Sequence, residues 1–191
     1  MFPTTQTRSR SLGALLATLL VVTGCQRPVV TEPLTGPLGD SAPETQLEFW
    51  HRLAERPVTS NDEAFHGLLL YLDGQDPATT YDQRVAALKA RGLLPDGFAE
   101  PGEQALSRGT AALAIARALK IRGGLMMTVA PDSSRYALRE LVYLNLFPQS
   151  SPNQTFSGGE FLGVVGRMED WQRGNPDPEP PRTEPATQPG S

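Results

Sequence analysis

The chain has 191 residues, a formal net charge of −4, one cysteine and two histidines. A single cysteine excludes an internal disulfide framework. Cys25, His51 and His66 form no Cys/His or His-Glu-x-x-His cluster of the kind that holds a transition metal, so neither a metal nor a cofactor is expected.

Residues 1–11 are polar and carry Arg8 and Arg10 with no acid. Residues 12–22 form an apolar run of 11, followed by the small residues Thr23 and Gly24. A basic start, a short apolar run and a small-residue site make a secretory signal peptide. The run falls short of the roughly 20 apolar residues that a bilayer span needs. Val22-Thr23-Gly24-Cys25 resembles the lipobox of bacterial lipoproteins. The resemblance implies cleavage before Cys25, diacylglycerol on its sulfur and usually a further acyl chain, such as palmitate, on the new amino group. The thiol is required because sulfur is the nucleophile that accepts the lipid. Two or more chains anchor stably where one binds marginally. By analogy with the same family, Gln26 in place of aspartate favours the outer membrane where there are two membranes.

Residues 1–24 are therefore expected to be a signal peptide and 25–43 a lipidated tether. The tether holds Pro28, Pro33, Pro37 and Pro43 and little apolar periodicity. Fully extended, it would reach at most ~60 Å. Residues 172–191 carry six prolines and read as a disordered tail. The folded domain is expected over 44–171.

Helical apolar spacing recurs through that domain. Leu47, Trp50 and Ala54 begin the series. Phe65, Leu68, Leu69 and Leu72 follow, then Val85 and Leu88, then Ala112, Ile115, Ala116 and Leu119. Leu138, Leu141 and Val142 make a fifth face; Phe161, Val164, Val165, Met168 and Trp171 make the sixth. Six short helices with one apolar face each must pack together to be stable. Leu88 and Leu141 each lie seven residues before a proline, Pro95 and Pro148, with Gly92 or Asn145 between. Glycine and asparagine readily adopt the left-handed conformation that closes a helix, and proline blocks continuation. Ser157 to Glu160 has the form of a capping box, and Ser107 can cap likewise. The pattern predicts an all-α fold: three helix–loop–helix units, about 44–73, 80–121 and 133–171, packed as one compact domain.

Leu106-Ser107-Arg108-Gly109, Phe156-Ser157-Gly158-Gly159 and the paired helices resemble the S-layer homology repeat, in which an aliphatic-Thr-Arg-Ala-Glu box opens the second helix of each unit. Three such units usually stand in tandem. The resemblance implies binding of an acidic wall polysaccharide by the box arginine. Here Arg108 holds that place in the second unit; Gly158 and Ser60 or Asn61 stand at the other two. The loop from Phe98 to Ser107 is longer than the family's.

Charge is unevenly placed. Residues 84–139 carry nine bases and four acids, residues 25–83 three bases and ten acids, and residues 140–191 three bases and seven acids. A basic middle in an acidic protein can recruit anions. Arg108, Arg84, Arg117 and Arg139 are the candidate ligand contacts. No Gly-x-Ser-x-Gly elbow or phosphate-cradling loop is present, and His51 and His66 have no catalytic motif around them. The pairs Glu48/Glu55 and Asp73/Asp76 read as solvated carboxylates. The chain thus reads as a non-enzymatic lipoprotein of the cell envelope, held to a membrane through Cys25 and binding an anionic envelope polymer. A protein scaffold, or an enzyme without a recognisable motif, is the alternative. Nucleic acid is not an expected partner.

Overall fold

Ser60, Ser107 and Ser157 each open a helix in the same way. Each side-chain oxygen accepts from the backbone N–H three residues on, at Glu63, Thr110 and Glu160. Glu63 and Glu160 answer by accepting from the backbone N–H of Ser60 and Ser157, which completes two capping boxes.

The computed structural model describes residues 27–38 and 42–175. The segment expected as a signal peptide, Cys25 and residues 176–191 of the expected tail lie outside the described residues. Among the described residues there are eight helices and no strand: α1 (Thr35–Leu38), α2 (Pro43–Ala54), α3 (Asn61–Asp73), α4 (Tyr81–Ala90), α5 (Arg108–Ala118), α6 (Leu125–Val129), α7 (Ser134–Tyr143) and α8 (Gly158–Gly174). The six expected helices are α2, α3, α4, α5, α7 and α8, and the all-α fold holds. Helices α1 and α6 are additional, and α8 runs past Trp171 into the segment expected as tail.

The second helix of each unit packs on the first helix of the next: α3 on α4, α5 on α7, and α8 back on α2. The ring is closed by backbone hydrogen bonds at the three serine caps. A helix start leaves its first N–H groups without intrahelical partners. The loop of the following unit supplies them. Asn61 and Asp62 donate to Gln104 and Gly102 oxygens at 2.9 and 3.0 Å. Arg108 and Gly109 donate to Gln154 and Pro152 oxygens at 2.7 and 2.9 Å, and Gly158 donates to the Arg56 oxygen at 2.9 Å. Thr59 N–H donates to Phe156 O, and Leu106 N–H to Thr59 O, so the cap segments also bond to each other.

The first helices of units two and three end alike. Gly92 and Asn145 have φ of 68° and 59°. Leu93 N–H then returns to Leu88 O at 2.9 Å, and Leu146 N–H to Leu141 O at 2.8 Å. These are the left-handed closures that the seven-residue spacing to proline anticipates.

Phe49, Leu53, Phe65, Leu69, Leu88, Leu106, Ile115, Leu141, Phe156, Val164 and Met168 are buried in one core. Each such Leu or Phe contributes roughly 1.5–3 kcal/mol over its exposed counterpart. The buried face of α2 differs from expectation. Phe49 and Leu53, at i and i+4, are its core residues, Trp50 is half-buried and Leu47 is 59% exposed.

The tether expectation is corrected over its described part. Val30 and Leu34 are buried. Val30 N–H donates to Glu103 O at 2.7 Å, and Ala105 N–H to Pro28 O at 2.8 Å. Leu34 N–H donates to Glu63 Oε1, and Thr35 Oγ1 to Asp62 Oδ2. Proline-rich sequence lacks helical periodicity, but it can dock through its carbonyls and a few apolar side chains. This segment does so.

Candidate functional site

The cap segments position Arg108. It is the first residue of α5, held by the bond from its own N–H to Gln154 O. Its side chain turns toward unit three. Nε donates to Thr155 O at 3.1 Å, Nη2 to Glu160 Oε1 at 2.6 Å, and the guanidinium lies 4.8 Å from the Phe156 ring centroid. Nη1 has no partner among the described residues. Glu160 is thus shared between the α8 capping box and Arg108. The Ser157 backbone N–H, against an opposing effect of partial burial, and the Arg108 guanidinium hold its carboxyl below the usual range.

Arg108 lines a cleft of about 590 Å³ at the junction of units two and three. Arg27 stands on another wall. Its guanidinium is fixed by Glu100 at 2.8 Å, by Gln104 Oε1 at 2.8 Å and by Ala105 O at 3.2 Å. Gln149, Asn153 and Gln154 bring three exposed carboxamides to the rim. Two planar cations and three amides around one concavity supply the directional donors and acceptors that hydroxyl and carboxylate groups need. Sequence reasoning had no reason to select Arg27, which lies in what reads as linker.

The other three candidate arginines lie elsewhere. Arg84 is buried between α3 and α4. It donates to Asp76 Oδ2 at 2.5 Å, to Asp62 Oδ1 at 2.8 Å and to Ala78 O at 2.9 Å. Arg117 is tied to Asp132 and to the carbonyls of Gly92, Leu93 and Pro131. Arg139 is exposed beside α6. The four do not converge on one groove. Arg84 and Arg117 join loops to helices, and Arg108 alone of the four lines the cleft.

The Arg84 cluster reaches further. His66 Nδ1 and Asp76 Oδ2 are 2.6 Å apart, and both side chains are fully buried. The Phe49 ring packs edge-on against the imidazole at 4.6 Å, and Nε2 has no hydrogen-bond partner among the described residues. Burial acts to raise Asp76, but hydrogen bonds from His66, Arg84 and the Ala78 backbone, with the Arg84 charge, hold it below the ordinary carboxylate range. Asp76 was expected to be solvated and is not, whereas Asp73 is half-exposed and pairs with Arg91 at 2.6 Å. His51 is exposed. A histidine–aspartate pair sealed in the core orders the α3–α4 connection and has no access to a substrate.

A second groove, of about 560 Å³, runs between α2, α3 and α8, past Trp50, Tyr71 and Leu162. Tyr71 Oη donates to Gln172 Oε1 at 2.6 Å. Burial and the Glu169 charge push its phenol up to about 12. Among the described residues no group of three or more His, Cys, Asp or Glu side chains is placed to hold a metal ion, and no helix is long and apolar enough to cross a membrane.

Comparison of the chain with protein-family models, curated proteins and solved structures gives no match.

Proposed function

We propose that the chain is a lipid-anchored protein of a bacterial cell envelope. Its helical domain binds an anionic envelope polymer, without catalysis, in the cleft of Arg27 and Arg108. The lipobox at Val22 to Cys25 supports the anchor, and Gln26 favours an outer membrane where two are present. The observation that carries the binding reading is Arg108. It stands at the arginine place of a box resembling that of S-layer homology units, beside a concavity, with one guanidinium nitrogen unpartnered among the described residues.

The docked segment sharpens the geometry. Cys25 precedes Arg27 by two residues, which span at most ~7 Å. With Arg27 fixed to Glu100 and Gln104, an acyl anchor at Cys25 brings the cleft close to the bilayer. The ligand of this reading is therefore a polymer lying at, or attached to, the membrane surface.

The test is retention of the domain on purified envelope glycan. Wild type is expected to be retained, Arg108→Gln to be lost at unchanged circular dichroism, and Arg108→Lys to fall between them. Equal retention of wild type and Arg108→Gln overturns the arginine role. Substitution of Cys25 by serine is expected to abolish membrane association; a processed Cys25→Ser chain that stays in the membrane overturns the anchor.

The protein-scaffold reading has its own support in the groove of Trp50, Tyr71 and Leu162, since aromatic residues are enriched in protein interfaces. Defined envelope proteins co-purifying with wild type, and lost with Trp50→Ala, in the absence of glycan retention would favour it.

A further inference from the structure

The basic middle of the chain divides into two populations. Arg84, Arg91, Arg108 and Arg117 are in ion pairs, and Lys89 donates to Asp96 O. Lys120, Arg122, Arg135 and Arg139 are exposed; Lys120 and Arg122 precede α6 in the chain, Arg135 and Arg139 stand one turn apart on α7, and Arg139 lines the groove beside α6. The three arginines of this second group have no ion-pair partner among the described residues. Of the nearby acids, Asp132 is engaged by Arg117, and Glu140 on α7 is half-buried and lines the groove beside Arg139.

Helix α6 meets the rest of the domain along one side only, through α7 and Met127. Lys120 and Gly123, with φ of 54° and 60°, turn the chain after α5, and Met127 packs inward on the core cluster. Its other apolar residues face solvent: Leu125 is 77%, Val129 71% and Met126 48% exposed. Tyr143, at the end of α7, is 80% exposed, and it borders the same groove of about 360 Å³ as Leu125, Met126 and Arg139. Six large hydrophobic side chains are this exposed among the described residues, and four of them gather here.

We infer that α6 and its arginine rim form a membrane-contact patch whose partner is a bilayer surface carrying anionic headgroups. Leu125, Met126 and Val129 enter the headgroup–acyl boundary, Tyr143 sits at the interface, and the arginines pair with lipid phosphates. Charge selects this occupant over a second copy of the chain. A symmetric dimer through the patch would set one cationic rim against another. The inference stands on residues separate from the Arg27–Arg108 cleft and does not require the acyl anchor.

The test uses residues 27–191, which omit signal and acylation site; the described core is closed within residues 27–175. The domain is sedimented with vesicles of phosphatidylglycerol or of phosphatidylcholine. Pelleting with the anionic vesicles alone is expected, weakening as salt rises. Each arginine contributes roughly fivefold, so Arg122→Gln, Arg135→Gln and Arg139→Gln together should lower the partition about a hundredfold. Leu125→Ser with Val129→Ser should also lower it, at unchanged thermal unfolding. Failure of wild type to pellet with anionic vesicles overturns the inference. So does a triple variant that partitions like wild type, or a dimer in solution that Leu125→Ser with Val129→Ser dissolves. Glycan retention measured on the same preparations follows Arg108, so either reading can fail while the other stands.

Discussion

The junction of units one and two and the junction of units two and three use one plan and end differently. In both, a serine-capped helix donates its first N–H groups to carbonyls of the next unit's loop. In both, an arginine crosses the seam. At the first, Arg84 is enclosed by Asp62, Asp76 and the Ala78 carbonyl and is buried. At the second, Arg108 meets one half-exposed carboxylate and leaves a nitrogen at a cleft. An arginine whose donors are taken up by protein acceptors holds the fold together, whereas one with an unused donor beside a concavity can take a ligand.

The largest effect expected is at the closed junction. Arg84→Ala leaves Asp76 buried without its cation, and breaking a buried pair from one side costs about 3–5 kcal/mol. Urea denaturation measures it. A loss below about 1 kcal/mol would mean that the cluster does not hold the junction together. Next comes the third junction, where unit three returns to unit one. A Cβ on Gly158 would lie 1.5 Å from the Leu53 carbonyl oxygen, a backbone atom that cannot swing aside. Gly158→Ala should therefore cost about 3 kcal/mol, the upper part of the range for overpacking. This contact also explains why no arginine stands at the box position of unit three: the end of α2 occupies the space.

Acid should loosen the closed junction. The Asp76 pKa is lowered in the folded chain relative to the unfolded one. A depressed carboxylate adds stability that is present above its unfolded pKa of about 3.9 and is lost as pH falls through the folded value. Stability should fall as pH drops below about 4, and Asp76→Asn, already weaker at neutral pH, should flatten that dependence. An unchanged acid limb in Asp76→Asn would assign it to other groups.

The repeated punctuation was legible in the sequence. Ser107 and Ser157 as caps, and Gly92 and Asn145 as closers three residues before Pro95 and Pro148, follow from local rules that tertiary packing left intact. The misreadings fell where long-range partners override local character. Arg84 and Asp76 look like surface residues until each supplies the other's counter-charge. Residues 27–35 look like linker because docking by carbonyls leaves no side-chain period. Helix α6 follows the pair Gly123-Gly124, which reads as a helix stop, and is too short for periodicity to register. Of the cleft, Arg108 was legible from its box; Arg27 and the carboxamides needed the fold to bring them together.

Glu160 gives the smallest stability effect and the sharpest test of the open junction. Its carboxylate accepts from Ser157 and from Arg108 at once, so it competes with any anionic ligand for that guanidinium. Glu160→Gln keeps the shape and can still accept from the Ser157 N–H, while the charge that holds Arg108 is removed. Arg108 is buried, but Glu160 is half-exposed and its charge is screened by solvent, so the cost should be no more than about 1 kcal/mol. Under the polymer-binding proposal the same change frees Arg108, so glycan retention should rise in Glu160→Gln where it falls in Arg108→Gln. Opposite signs from two partners of one ion pair are not produced by general loosening, which would lower retention in both.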